Sequence, residues 1–280
     1  MRVPLAPDAL DEALAASGRR WPPVEFHTRL GSTNDRAREL ATLLDAGWRV
    51  VLTDHQVGGR GRLGRVWTVP ERASLAVSVV VPLPTPSLAA WAPLVAGLAL
   101  ARAVAEVTTE AGTPVTPRLK WPNDVLVAQD DDRKVSGILC ELVAGGANGV
   151  DGGGAALVVV GAGVNVDQDR AELPVPTATS LALAGAVVGR EPLAARYLLA
   201  LRALVDELGD HGAAAMRTSY ERACVTVGLD VEVHLPSGVV AGRAVGVDEH
   251  GGLVVSTPTG RRAFAAGDVV HVRRPGGRLT

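Results

Sequence analysis

The chain has 280 residues, room for about two domains of roughly 150 residues each. Hydrophobic residues are 47% and charged residues 21%, which supports a packed core and excludes an intrinsically disordered chain. A net charge of -2 argues against a generally basic nucleic-acid binder, and two cysteines, Cys140 and Cys224, exclude a disulfide scaffold or a four-cysteine zinc site.

The start, MRVPLAPDALDEAL, is acidic and poor in apolar residues, so it is not expected to act as a signal peptide. A short helix is predicted over residues 7–17, closed by Gly18. A strand follows at Val24–Thr28. Ser32, Thr33, Asn34 and Asp35 supply N-cap candidates for a helix running to about Ala46. Arg49–Asp54 reads as a strand and His55–Trp67 as a loop rich in glycine and arginine. Ala73–Ala101 carries no charge and is long enough to span a bilayer, but Pro82, Pro84, Pro86 and Pro93 interrupt it. It reads as a buried strand (Ser74–Val81), a PLPTP turn and a core helix from about Ser87 to Ala111. Strand signals return in RLKW, DVLVA, KVSGILCELV and AALVVVGAGVNV. Ala144–Gly154, between the last two, reads as a glycine-rich hairpin loop without phosphate-binding spacing. Helices are predicted near 178–184, 192–208 and 212–224.

From Val227 the texture changes to short strands separated by turn signals every 8–12 residues, as in a small five-stranded barrel. The fold class is therefore α+β: a domain over 1–226 with a small β-module over 227–280. The larger part has apolar residues enough to bury a core unaided, so deletion from Val227 is expected to spare it.

Four segments carry candidate chemistry. Gly58-Gly59-Arg60-Gly61-Arg62-Leu63-Gly64-Arg65-Val66-Trp67 combines exposed backbone N–H groups with three permanent cations, suited to closing over a phosphate or carboxylate. Its spacing fits neither a Walker loop nor a dinucleotide fingerprint. With no acid from His55 to Pro70, its arginines are expected to repel one another and the loop to be mobile until an anion supplies counter-charge. A disordered or nucleic-acid-touching RG loop is the competing reading. Lys120-Trp121-Pro122-Asn123-Asp124 sets a lysine, an amide and a carboxylate around a tight corner, or is simply a turn. Arg133-Lys134-Val135-Ser136-Gly137 brings a basic pair into an apolar strand, where edge lysines usually only deter aggregation. Gly161-Ala162-Gly163-Val164-Asn165 ends a strand in an amide; its glycines suit close backbone packing.

In this order the segments STN, QxGGRGRxGRxW, KWPND, RKxxGIL-E and GxGxN, followed by a small β-barrel, resemble the biotin–protein ligase family. The resemblance covers about Val24 to Arg273. It implies a mixed-sheet catalytic domain distantly like class II aminoacyl-tRNA synthetases and a C-terminal SH3-like barrel. It also implies the reaction: biotin and ATP, with Mg²⁺, give biotinyl-5′-AMP, and the biotinyl group passes to a lysine ε-amine. The acceptor would be the biotin carboxyl carrier domain of acetyl-CoA carboxylase or another biotin-dependent carboxylase.

The same resemblance assigns roles. Ser32, Thr33 and Asn34 would hydrogen-bond the ureido ring and its surroundings, with Gln56 beside biotin. Gly59, Arg60, Gly61, Arg62 and Arg65 belong to the stretch that binds the carboxylate end and the phosphate. Trp67 matches a tryptophan near adenine, Lys134 the lysine at the reacting carboxylate and α-phosphate, Gly137 its strand neighbour, and Asn165 an adenine-side amide. Lys120, Asn123 and Asp124 would border the reacting centre, with Asp124 as candidate base for the acceptor lysine. No structural metal site is expected.

Two departures bear on this. The acidic AQDDD stretch is longer than expected and reads as an altered surface hairpin. The stretch before Val24 is shorter than the roughly 60 residues of a helix-turn-helix reader with its wing, so a monofunctional type is expected, with no DNA contact. A cytoplasmic protein, monomer or homodimer, without a membrane span fits these features. A lipoate or octanoate ligase or transferase of the same superfamily is the alternative enzyme, and a nucleic-acid-binding regulator the alternative class.

Overall fold

The computed structural model describes residues 2–43, 47–143 and 156–272. The predicted glycine-rich loop 144–154, the helix end at Ala46 and the last residues of the resemblance lie outside these. In chain order the elements are α1 (Pro7–Ala15), β1 (Val24–His27), α2 (Thr33–Leu43), β2 (Arg49–Thr53), β3 (Gly59–Arg60), β4 (Val66–Trp67), β5 (Ser74–Leu83) and α3 (Ala92–Glu110). Then follow β6 (Pro117–Lys120), β7 (Asp124–Val127), β8 (Arg133–Leu142), β9 (Ala156–Asn165), α4 (Arg190–His211) and α5 (Ala213–Ala223). Five strands close the chain: β10 (Asp230–Leu235), β11 (Gly238–Val247), β12 (Leu253–Thr257), β13 (Gly260–Phe264) and β14 (Asp268–His271).

Seven strands form one sheet in the order β1-β2-β5-β9-β8-β7-β6. Only β1 and β2 are parallel, so the sheet is mixed as expected. Side chains alternate between its faces. Leu75, Val77, Val79 and Val81 of β5, with Val158, Val160, Ala162 and Val164 of β9, enter the main core with α3 and α4. The opposite parity, Val80, Leu157 and Val159, meets Ala37, Leu40 and Ala41 of α2. Further along that second face the same strands carry Ala76, Ser78, Gly161, Gly163 and Asn165. Helix α2 covers the large apolar half of this face; the small and polar half is the floor of a cleft.

Three sequence expectations change. β5 runs on through Pro82 to Leu83, because its pairing with β2 stops at Val80 and the missing proline N–H costs no ladder bond there. Residues 178–184 are not a helix: Thr179 N–H bonds Lys134 O, Leu181 N–H bonds Asn165 O and Ala182 N–H bonds Val166 O, so tertiary acceptors take the donors a helix would use. The AQDDD stretch is more than a surface hairpin. Asp130 binds Arg133, Arg170 and Thr179, tying the start of β8 to the segment beyond β9, and Asp132 binds Arg118 of β6 at 3.1 Å.

The region 86–110 is apolar and long enough to cross a membrane, but two-thirds of its apolar window is buried, as befits a core helix. The second sheet, β13-β12-β11-β10-β14, is wholly antiparallel. Its Val231, Val233, Leu253 and Val255 belong to the same continuous hydrophobic cluster as Trp91 and Trp121.

Candidate active site

The cleft over the second face encloses about 620 Å³. Ser32 caps α2: its Oγ accepts from Asp35 N–H and its carbonyl from Arg36 N–H. This sets Ser32, Thr33 and Asn34 at the helix start against the sheet. Thr33 donates both its N–H (2.9 Å) and its hydroxyl (3.0 Å) to Gln56 Oε1. Ser78 Oγ lies 2.6 Å from Asn34 Oδ1 and 2.7 Å from Thr33 Oγ1. Asn34 Nδ2 donates to Leu139 O and to Glu141 at 2.7 Å. One end of the cleft is thus a fixed array of neutral hydrogen-bonding groups. Asn34 fits only because residue 161 is glycine: a Cβ there would overlap its carboxamide.

The other end is cationic. Arg62, Arg65, Lys120 and Lys134 gather there with the carboxylates of Asp124 and Asp268, and Arg60 lines the cleft beside Asp35. Lys120 and Asp124 are cross-strand partners, and Asp124 faces Gly137. Lys134 reaches this face through a β-bulge. Val125 pairs with Ser136 and Leu126 with Lys134, so Val135 is the extra residue and the strand's parity shifts there. Lys134 Nζ then sits 2.6 Å from Asp124 and 6.0 Å from the Trp67 ring centre. Trp67 lies flat on the glycine floor; a Cβ on Gly163 would come within 2.6 Å of its ring and one on Gly137 within 3.5 Å.

The arginines do not repel one another as the local sequence suggested. Arg60 is bidentate on Asp35, at 2.7 and 2.8 Å. This hydrogen bond is the main cause that holds the Asp35 carboxyl below its usual value. Arg62 donates to Asn123 Oδ1 (3.0 Å) and Gly267 O (3.2 Å), and Arg65 pairs with Asp268. The short β3–β4 ladder joins the two ends of the loop.

Of the sixteen predicted site residues, fifteen line the cleft. Gly59 does not line the cleft; it packs between Gln56 and the Trp67 carbonyl, where a Cβ would meet both at 2.5 Å. Asn165 lines it, with Nδ2 donating to Thr179 O and Oδ1 accepting from Gln168. These bonds tie the end of β9 to Gln168 and Thr179.

Burial pushes the Lys120 ammonium below its ordinary value of 10.5; Asp124 opposes this and Lys134 adds to it. A cation with a lowered folded pKa destabilises the fold at low pH, and that cost fades as pH rises through 10.5. Lys120→Met is therefore expected to melt at a higher temperature than the wild type at pH 7. The gap should narrow toward pH 10.5, as calorimetry at the two pH values would show.

The Biotin/lipoate A/B protein ligase family matches residues 28–165, and the Biotin protein ligase C terminal domain matches residues 228–272. Over 278 residues the chain is 34% identical to the biotin–[acetyl-CoA-carboxylase] ligase of Mycobacterium tuberculosis, covering 98% of each chain. The chain belongs to the biotin protein ligase family. It is also 30% identical to the biotin–[acetyl-CoA-carboxylase] ligase of Paracoccus denitrificans, over 86% of this chain and 97% of that one. A biotin protein ligase from Aquifex aeolicus in complex with biotin and ATP superposes with a TM-score of 0.71 at 27% identity, over 90% of this chain and 99% of the other. The Leishmania major biotin protein ligase in complex with biotinyl-5-AMP gives 0.61 at 25% identity, over 88% and 100%.

Within this biotin protein ligase several residues at or behind the cleft escaped the motifs. Ser78, buried behind Thr33 and Asn34 rather than lining the cleft, was readable only from its parity on β5, two residues from Ala76 and Val80. Asp268, Val269 and Val270 reach the cleft from β14, far along the chain, and no local pattern marks them.

Proposed function

We propose that this ligase holds the ureido head of biotin at the neutral end of the cleft and joins its carboxylate to ATP at the cationic end. The chain activates biotin as biotinyl-5′-AMP and transfers the biotinyl group onward; the acceptor we infer is the biotin carboxyl carrier domain of acetyl-CoA carboxylase or another biotin-dependent carboxylase. One observation carries the reading: a fixed neutral hydrogen-bonding array shares a cleft with five cations and only two carboxylates. That arrangement suits a ligand with an uncharged polar head and an anionic tail that must meet a polyphosphate.

Ser32, Thr33, Asn34 and Gln56 bind the head, with Ser78 and Glu141 orienting Asn34. Biotin's carboxylate is ionised at neutral pH, with an ordinary carboxylic pKa of about 4, so attack on the α-phosphorus needs no base. The obstacle is anion meeting polyanion. Arg60, Arg62, Arg65, Lys120 and Lys134 relieve it and stabilise charge in the transition state. Trp67 offers a flat face for a ring. Among the described residues no three carboxylate, histidine or cysteine side chains converge as a metal site. Mg²⁺ would enter with ATP, carried on its phosphates. In the transfer step the acceptor amine arrives protonated, and Asp124 is placed to orient it or take the proton. A cytoplasmic setting suits both substrates.

The test is mass spectrometry of a carrier domain after incubation with biotin and MgATP, where a gain of one biotinyl group is expected and no gain overturns the reading. Octanoate or lipoate in place of biotin should give no adduct. Gly161→Ala is expected to weaken biotin binding about tenfold or more, since overpacking costs about 1–3 kcal/mol and displaces Asn34. Titration calorimetry measures it; an unchanged affinity would remove Asn34 from the biotin site.

A further inference from the structure

Four exposed aliphatic side chains frame the mouth of the cleft: Leu63 (75% exposed), Val66 (77%), Val175 (50%) and Val270 (48%). They come from three separate parts of the chain, the arginine loop, the segment before Ala178, and β14. Arg62 and Arg65 fasten the loop beside β14 through Gly267 O and Asp268, so Leu63 and Val270 belong to one rim. Val66, Val175 and Val270 line the cleft itself, whereas Leu63 stands outside it.

Leu63 is unusual twice over. Its backbone is left-handed, φ 57° and ψ 32°, a conformation that glycine and asparagine adopt more easily. Its side chain, the largest of the four, is turned to solvent. Between Arg62 and Gly64, a polar or small residue would relieve both costs. Strain and exposed apolar surface at one residue suit contact with something outside the molecule.

We propose that this apolar rim, with Leu63 at its tip, is the surface on which the folded acceptor domain docks. The inference rests on the ligase reading above. A lysine side chain extends only roughly 6 Å from its Cα, so the acceptor's backbone must press against the cleft mouth for its amine to reach the activated carboxyl carbon. The surface framing the mouth is then necessarily buried against that domain. Four aliphatic groups there favour contact by removing apolar surface from water, without competing with the cations engaged by the adenylate. The transfer itself is balanced: the acceptor ammonium loses one proton to become the attacking amine and a second as its nitrogen forms the amide with the biotinyl carbonyl, while the carbonyl–oxygen bond breaks and AMP leaves with the bonding electrons.

The experiment uses the full chain with Leu63→Asn, which keeps a residue suited to the left-handed backbone and removes the apolar group. With an isolated carrier domain as varied substrate, KM for that domain is expected to rise about tenfold with kcat little changed. Biotin-dependent pyrophosphate exchange, run without acceptor, is expected to match the wild type. An unchanged KM overturns the proposal. An equal loss in pyrophosphate exchange also overturns it, because Leu63 would then act on the loop. So does a shift of the wild-type chain, but not the variant, toward dimer in sedimentation with no change in KM, which would make the rim a self-association surface. A wild-type chain that biotinylates no carrier domain would instead fail the ligase reading itself.

Discussion

Lys134→Ala is expected to lower the rate of biotinyl-adenylate formation about 10²–10³-fold with the fold intact. Lys134 is half-buried, fixed 2.6 Å from Asp124, and turned onto the cleft face by the bulge at Val135. Such a cation is oriented before substrate arrives, so no reorganisation is needed as charge develops on the α-phosphate. Loss of one preorganised charge-stabilising contact costs about 3–4 kcal/mol of barrier. The alanine variant adds a second cost, since it leaves Asp124 with only Lys120 to offset its charge near the reacting carboxylate. Pyrophosphate exchange reads the loss directly and circular dichroism checks the fold. Exchange at the wild-type rate would show that adenylation does not run past this amine. Lys134→Arg is expected to recover part of the loss, since it keeps the charge but not the compact ammonium geometry.

The cleft's residues were legible in the sequence to the degree that they cluster locally. The STN turn, the arginine loop and KWPND each bring several polar groups into a few residues, and all three line the cleft. What escaped was non-local. Arg60 and Arg65 find Asp35 and Asp268, carboxylates distant in sequence, so a count of acids between His55 and Pro70 misjudged the loop's charge balance. Lys134 would have faced the core by simple alternation, and only the extra residue at Val135 turns it. The partners of Asn165, Gln168 and Thr179, were not readable either, because they lie in a segment whose own N–H groups bond Lys134 and Asn165. That bridging also prevented the helix expected over 178–184. The β-strands themselves were readable because period-two alternation and turn residues are local properties.

Removing the chain from Val227 onward is expected to leave a product that does not fold to a soluble state. The composition of the first 226 residues suggested an independent core, but the packing differs. Trp91 and Trp121 are fully buried, and each indole N–H donates to the C-terminal segment: Trp91 to Glu249 O at 2.8 Å and Trp121 to Gly251 O at 3.0 Å. Gly251, at φ 75°, leaves so little room that a Cβ would press on Leu94 at 3.3 Å. A buried tryptophan covers on the order of 200 Å², worth about 5 kcal/mol at 25 cal/mol per Å². Uncovering half of each indole therefore costs about 5 kcal/mol, against a typical net stability of about 5–15 kcal/mol. Val231, Val233, Leu253 and Val255 would no longer cover their neighbours in the shared cluster, and β14 would no longer wall the cleft with Asp268, Val269 and Val270. A chain ending at residue 226 should accordingly partition to the insoluble fraction or bind a hydrophobic dye without a cooperative melt. A soluble, cooperatively melting fragment that still binds biotin would show that α3 and the seven-stranded sheet close around Trp91 and Trp121 by themselves, and that the C-terminal sheet serves the cleft alone.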